Sequence, residues 1–473
     1  MSKQIIVVDL DGTLARTDLL HESLVVLLTR KPWALLLLLF ALLKGRAVFK
    51  RRLVALAQPD LDSLPLNQPL IDWLGARHAE GAVLALYSAS DERLLQGIAA
   101  RVGLFERVRG SDGATNLKGL HKYQAIVADY GERFTYVGDS RADLPIWQHC
   151  QSAVLVGDTA GLRAQLSPET LVLAEFPQPQ PGFTAWRRAL RLHQWAKNAL
   201  IFVPLLLSGQ FSQLASVQPS VLGFIAFGFL ASATYLINDL FDLAADRSHR
   251  SKQFRPLAAG DLSLRRGLAA IPLLMLCALL LLTQLPLAFG GVALLYTVIT
   301  LAYSMRLKRE PILDVLILGG LFSLRLLAGM AVIAAAISPW LLTFSMFFFT
   351  SLATIKRFAE CDAQLKAGKT NVPGRGYRPA DAAWLMAMGS ASGFASVLVF
   401  FNYLVEAQSR MAQFERPEWL WSMCLVLAYW LGRVWLLAAR GEMRDDPIAF
   451  ALKDRLSLAL GAWVALSVVA AVV

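Results

Sequence analysis

The chain has 473 residues, 56% of them hydrophobic and 17% charged, with 46 Lys/Arg against 35 Asp/Glu for a formal net charge of +11. Globular proteins average about 25% charged residues, and several apolar runs here are long enough to cross a bilayer, which takes roughly 20 residues, so the C-terminal two-thirds reads as an integral membrane protein. Its four widely separated cysteines, Cys150, Cys277, Cys361 and Cys424, exclude a disulfide framework or zinc spacing. The positive balance suits anionic lipid head groups or phosphorylated substrates; nucleic acid is the poorer reading, because the basic residues alternate with apolar runs instead of forming one patch.

The opening MSKQIIVVDLDGTL is not a signal peptide, since its apolar run is short and ends in acids. Residues 1–174 read as a soluble α/β domain. QIIVVDLDGT, AVLALYSAS, RFTYVGDS and SAVLVGD are short apolar runs ending in polar or glycine-bearing turns, with helical patterns between them, as buried parallel strands require. In VVDLDGTL, Asp9 and Asp11 stand two apart at the end of a run. Alternation along a strand puts both on one side, where Asp9 can attack phosphorus and Asp11 can protonate the leaving oxygen. Ser88 in YSAS offers a phosphate donor, and Lys118 or Lys122 in TNLKGLHK can neutralise a phosphoryl group, Lys118 matching slightly better. Asp139 and Asp143 in YVGDSRAD complete, with Asp9, a Mg²⁺ site. These four motifs in this order resemble the haloacid dehalogenase (HAD) superfamily, which implies a Rossmann-like fold, and Asp at position 11 favours phosphatase over dehalogenase chemistry.

Two segments stand apart. Pro32–Leu43, PWALLLLLFALL, is too short to span a bilayer and is flanked by Arg30, Lys31, Lys44, Arg46, Lys50, Arg51 and Arg52. It reads either as a cap helix of the soluble domain or as an interfacial helix on the inner leaflet. Residues 175–182, EFPQPQPG, alternate Pro and Gln and read as an extended linker, which leaves 183–473 for a second domain.

That domain reads as an all-α polytopic membrane bundle with about nine spans, at 197–211, 219–237, 267–283, 286–304, 312–334, 339–355, 382–404, 419–437 and 456–473. Lys/Arg crowd the loops near 239–266, 305–310, 356–381 and 438–455, whereas the intervening loops hold none except Arg410 and Arg416. The positive-inside rule then places the basic loops and the N-terminal domain in the cytoplasm and the C-terminus outside, as expected of a multi-pass protein of a bacterial inner membrane.

NDLFDLAADRSHRSKQFRPLAAGDL, 238–262, carries the second chemistry. Asp239, Asp242 and Asp246 are spaced three and four apart, so on one helix they share a sector of roughly 60°. Three carboxylates on one face call for a bridging cation. Mg²⁺ shares its shell with substrate phosphates, Asn238 adds an amide, and Arg247, Arg250, Lys252 and Arg255 offer donors to phosphate oxygens. The opposing reading is a salt-bridged loop.

N-D-x-x-D-x-x-x-D followed by K-x-x-R-P-L resembles the UbiA superfamily of intramembrane prenyltransferases, over roughly 183–473. The later loop IKRFAECDAQLKAGKTNVPGRGYRPAD departs from that family, having no second D-x-x-x-D but Lys356, Arg357, Glu360, Arg375 and Arg378 instead. RLHQWAKN and AYSMRLKREPILD complete a pattern similar to the phosphoribosyl-transferring branch, which implies 5-phosphoribosyl diphosphate (PRPP) and polyprenyl phosphate as substrates. By that resemblance Asn238, Asp239, Asp242 and Asp246 hold Mg²⁺ and diphosphate; Lys252, Arg255, Tyr303, Lys308, Lys356 and Arg357 contact sugar and phosphate; Gln194, Lys197 and Asn198 meet the lipid phosphate. Arg325, deep in a span, should face a cavity or a carboxylate.

The combined expectation is a bifunctional membrane enzyme that uses Mg²⁺ in both domains. One half makes a phosphoribosyl lipid and the other removes the 5-phosphate, giving a lipid-linked ribose, an arabinose precursor for envelope glycans. Homo-oligomers are compatible with it. The alternatives are an aromatic prenyltransferase with an accessory phosphatase, a transporter with a regulatory domain, and a phosphatase anchored by an inert bundle.

Overall fold

β1 (Ile5–Val8) lies at the centre of a six-stranded, all-parallel sheet with β2 (Val83–Asp91), β3 (Arg107–Ser111), β4 (Thr135–Gly138), β5 (Ser152–Gly157) and β6 (Leu171–Pro177), in the order β3-β2-β1-β4-β5-β6. Alternation sorts its side chains to two faces. Ile6 and Val8 pack with Leu84, Leu86, Val137 and Val154 on one, and Val7 packs with Ala85, Tyr87, Tyr136 and Leu155 on the other. Both faces are covered, as a parallel sheet demands. From β1 the chain runs outward through β2 to β3, then crosses to β4 on the far side. The strand order therefore reverses beside β1, and ligand crevices open at the carboxyl ends of strands at such a point.

The computed structural model describes residues 3–43, 45–112, 115–178, 182–372, 374–408, 416–443, 447–451 and 453–472; Lys44, Arg410 and linker residues 179–181 lie outside them. The chain divides into two compact units, Met1–Arg191 with Tyr235–Pro272, and Leu192–Thr234 with Leu273–Val473. The acid-rich segment 238–262 thus belongs with the N-terminal unit. Residues 175–177, expected in the linker, extend β6, because they pair with β5 from Leu155↔Glu175 to Gly157↔Pro177. Pro32–Leu43 forms a 3₁₀ turn, Pro32–Ala34, and a short helix, Leu35–Leu43. Ala34 and Leu38 pack with Leu27, Leu53 and Ala57 and Ala41 is also buried, while Trp33, Leu36, Leu39, Phe40 and Leu43 are exposed.

The second unit is helical. Among the described residues of the whole chain, six helices are long and apolar enough to cross a membrane: Leu214–Phe241, Leu264–Leu282, Leu287–Met305, Leu313–Val332, Pro379–Glu406 and Glu418–Ala439. The expected span at 339–355 lies within a longer helix, Pro339–Lys366, whose second half is polar, and the last overlaps the helix Arg455–Val472. The expected span at 197–211 is not one helix. It is a 3₁₀ stretch, Leu192–Ile201, a short helix, Phe202–Leu207, and a turn, Gln210–Ser212. Its polar side chain Asn198 is drawn inward to Arg325. The helical cores stack aromatic rings, among them Phe322 on Phe349 at 4.4 Å between centroids.

Candidate active sites

The first constellation grows from the end of β1. The Asp9 N–H continues the β1–β4 ladder to the Val137 carbonyl at 2.9 Å, and the chain then turns through Gly12 at φ +79°. A Cβ there would come within 2.2 Å of Asp139 Oδ2, so the glycine of D-x-D-G-T is required by close approach as well as by its dihedral. Asp9, Asp139 and Asp143 each bring a carboxylate oxygen within 4.8 Å of the others. Lys122 Nζ lies 2.8 Å from Asp9 Oδ2 and 3.8 Å from Asp143 Oδ1, and it donates to Tyr136 Oη at 3.0 Å. Tyr136 Oη in turn donates to Asp143 Oδ1 at 3.0 Å. Thr13 Oγ1 donates to Asp139 Oδ1 at 3.2 Å.

Asp11 is held differently. Its Oδ2 accepts from Ser88 Oγ at 2.9 Å and Ser90 Oγ at 2.6 Å, and its Oδ1 accepts from the Leu19 N–H at 2.8 Å. In this arrangement Ser88, expected to donate to phosphate, donates to Asp11. The expected preference for Lys118 does not match the geometry: Lys118 is exposed, whereas Lys122, one turn into the helix Leu120–Tyr130, is buried at 3% exposure beside Asp9. Ser90, Thr13 and Tyr136 were not anticipated; Ser90 had a legible signal, being two residues from Ser88 and so on the same side of β2.

The electrostatics of this pocket disfavour its ionised carboxylates. Burial pushes the Asp9 carboxyl up to about 7, with Lys122 opposing and Asp143 reinforcing. Burial, then the charges of Asp9 and Asp143, hold Asp139 well above the carboxylate range. Burial and Asp18 raise Asp11, the Leu19 N–H and the two serines opposing. Burial weakens the Lys122 ammonium, but Asp9 and Asp143 outweigh it and keep it charged. Three carboxylates facing one ammonium leave an excess of negative charge that an oxygen-preferring divalent ion offsets, so the donor set fits Mg²⁺.

The second constellation is the segment 238–262. The expected single helical face is broken. The helix Leu214–Phe241 stops, Asp242 takes a non-helical φ of −95° and ψ of 6°, and a new short helix runs Leu243–Ser248. The three-and-four spacing therefore does not carry through. Among the described residues, Asp239, Asp242 and Asp246 do not gather within 4.8 Å as the first trio does. Arginines join two of them instead. Arg255 Nη1 lies 3.1 Å from Asp239 Oδ1 and contacts Asp246 Oδ2, and Arg191, stacked over the Tyr235 ring, also meets Asp239 Oδ1. Arg191 was not anticipated. Asn238 is half-buried and Lys252 exposed in the turn Lys252–Phe254.

The remaining candidates fall into two clusters of the helical unit. Arg325, 4% exposed, donates from Nε to Asn198 Oδ1 at 2.9 Å, from Nη1 to the Leu321 carbonyl at 2.6 Å and from Nη2 to Tyr296 Oη at 3.0 Å. These three partners are neutral, where a carboxylate was one of two expected. Lys197 Nζ sits 5.5 Å from the Phe322 ring centre, and Gln194 Nε2 meets Nε2 of its neighbour His193 at 2.9 Å. In the other cluster Arg357 donates from Nε to Asp314 Oδ2 at 2.7 Å and from Nη1 to Glu360, while Tyr377 Oη donates to Asp314 Oδ1. Asp314 is fully buried. Arg357, expected at sugar or phosphate, is thus committed to an internal ion pair. Tyr303 Oη and the Lys308 carbonyl both accept from Arg375 Nη1 at 3.1 Å, and Lys356, one residue before Arg357 in the same helix, is exposed. Asp314 had a signal in the sequence, a lone acid at the start of an apolar run, where an ionisable side chain needs a partner.

A chain with these apolar helices and this polar loop is an integral membrane protein. Residues 201–467 match the UbiA prenyltransferase family, and the chain belongs to that family of membrane transferases. It is similar over 461 residues to the uncharacterized protein y4nM of Sinorhizobium fredii, at 38% identity, covering 97% of this chain and 89% of that one. Nodulation protein NoeC of Azorhizobium caulinodans is 34% identical over 289 residues, 58% of this chain and 89% of NoeC. A decaprenyl-phosphate phosphoribosyltransferase of Corynebacterium glutamicum is 34% identical over 178 residues, 37% of this chain and 53% of that enzyme.

Proposed function

We propose that the chain transfers 5-phosphoribose from PRPP to a polyprenyl phosphate and then removes the ribose 5-phosphate in its N-terminal domain, which we read as a HAD-type phosphatase. The transfer reading is supported by the likeness to a phosphoribosyltransferase and by a loop that pairs acids with arginines. In the transfer step a lipid phosphate oxygen attacks C1 of the sugar, the C1–O bond to diphosphate breaks, and diphosphate leaves with the bonding pair. No general base is needed, because the nucleophile is already an anion. Arg191 and Arg255, oriented by Asp239 and Asp246, donate to the leaving diphosphate, and planar guanidinium groups suit that task.

The observation that carries the phosphatase reading is the convergence of Asp9, Asp11, Lys122, Asp139 and Asp143 at the reversal of the sheet. Asp9 attacks phosphorus as the P–O bond to the ribose 5-oxygen breaks, and Asp11, its proton favoured by burial, protonates that oxygen; Asp11 then takes a proton from the water that attacks the aspartyl-phosphate, releasing inorganic phosphate and freeing Asp9. Lys122 neutralises charge on the phosphoryl group. Mg²⁺, held by Asp9, Asp139 and Asp143, supplies further neutralisation when bound.

The decisive assay feeds the full chain PRPP and polyprenyl phosphate. Wild type should release diphosphate only with the lipid present and should accumulate ribosyl lipid. Asp9→Asn should stop at phosphoribosyl lipid, and Asp239→Ala or Asp242→Ala should lose transfer while the protein still inserts. Phosphoribosyl lipid persisting in wild type as it does in Asp9→Asn sinks the phosphatase assignment; label passing from a prenyl diphosphate to an aromatic acid sinks the transferase assignment.

A further inference from the structure

The acid loop and the phosphatase-like fold meet through a buried ion pair. Arg247, the residue after Asp246, donates from Nη1 to Glu22 Oε2 at 3.1 Å and from Nη2 to Glu22 Oε1 at 2.6 Å, across 225 positions of sequence. Both side chains are nearly sealed from solvent, at 6% and 3% exposure. Glu22 Oε1 also accepts from Thr17 Oγ1 at 2.6 Å, and Arg247 Nε donates to the Ala258 carbonyl at 3.2 Å, so neither end is loose. Two further contacts repeat the junction. Arg16 Nη2 meets Asp261 Oδ1 at 3.1 Å, and Gly260, at φ +78°, lies so close that a Cβ there would come within 2.5 Å of the Arg16 carbonyl oxygen. Glu22 sits in the first turn of the helix Leu19–Arg30, whose leading N–H is fixed by Asp11 Oδ1.

We propose that Glu22 is a positioning residue for the transferase loop: it fixes Arg247, and thereby the orientation of the adjacent Asp246 and its Arg255 partner, so the transfer site is completed by a side chain from the other catalytic domain. This rests on the PRPP reading above. A bidentate guanidinium–carboxylate pair constrains orientation as well as distance. Two arms from one backbone stretch, Arg247 and Asp261, prevent the loop from pivoting about either. The same helix begins on Asp11 and ends its first turn on Arg247, so the loop is referenced to the phosphatase turn itself.

The test uses the full chain in lipid nanodiscs. Glu22→Gln keeps shape and removes charge. It should raise the KM for PRPP tenfold or more with a smaller effect on kcat, and it should speed amide exchange in peptides covering 243–261 while β1 peptides stay protected. The double variant Glu22→Arg/Arg247→Glu should recover part of both. Arg247→Lys, which keeps charge but loses the two-point contact, should fall between. Wild-type KM and wild-type exchange in Glu22→Gln overturn the proposal, as does an activity loss that the charge swap does not relieve at all. If wild type releases no diphosphate from PRPP, the substrate reading has failed instead; the exchange measurement then still decides whether Glu22 holds the loop.

Discussion

Lys122 Nζ lies 2.8 Å from Asp9 Oδ2, and both residues are buried. On the phosphatase reading proposed above, Lys122 is the cation that meets a phosphoryl group at Asp9. Lys122→Met should lower hydrolysis of p-nitrophenyl phosphate by about 10²-fold or more, the scale of losing one preorganised electrostatic contact. Lys118→Met should leave it within about twofold. Equal losses in both variants would show that the geometry misassigns the lysine.

The raised Asp9 carboxyl gives a signed pH dependence. Its folded value of about 7 stands above the ordinary aspartate value of 3.8, so the folded state binds the proton more tightly than the unfolded one. The resulting stabilisation is complete below about pH 4 and is lost as pH rises through about 7. Mg²⁺ competes with that proton, so the gain in melting temperature on adding Mg²⁺ should grow from pH 6 to pH 8 and shrink in Asp9→Asn. A gain that is flat across this range would refute the coupling.

Gly12 should not tolerate a side chain. Gly12→Ala places a Cβ within 2.2 Å of Asp139 Oδ2 on a backbone at φ +79°. A left-handed conformation forced on a non-glycine residue costs on the order of 1–3 kcal/mol before any clash. The variant should lose both Mg²⁺-dependent stabilisation and phosphatase turnover, read by thermal unfolding and by the p-nitrophenyl phosphate assay.

In the helical unit, Asp314 and Arg357 should behave as one object. Removing one partner of a buried pair strands a charge and typically costs about 3–5 kcal/mol, whereas replacing both with packed apolar groups is often neutral. Asp314→Leu should therefore lower the melting temperature in detergent strongly, and Asp314→Leu/Arg357→Met should restore most of it. If the double variant is no better than the single, Arg357 has a role outside the pair.

Much of this was legible in residue order. The four strand signals became β1, β2, β4 and β5, and the aspartates of VVDLDGTL and YVGDSRAD converge because strand ends converge. β3 and β6 were missed: Arg107–Ser111 carries exposed arginines and Leu171–Pro177 is an edge strand, so neither shows a buried run. The lysine was misjudged because motif spacing says nothing about where a helix starts; beginning at Leu120 turns Lys122 inward and leaves Lys118 outside. The acid trio was read on one ideal helix, and the break at Asp242 has no glycine or proline to announce it. Glu22 and Arg247 escape any local reading, since only tertiary packing brings such distant positions together.

That junction changes how the polypeptide can be dissected. A cut at 179–181, where the Pro/Gln run invites one, leaves Glu22 on one fragment and Arg247 on the other. Each fragment then carries a charge shaped for burial and now facing water. Truncation is therefore a poor route to either proposed activity alone, and two separately encoded halves would have to find each other again through the surfaces that the intact chain joins by default.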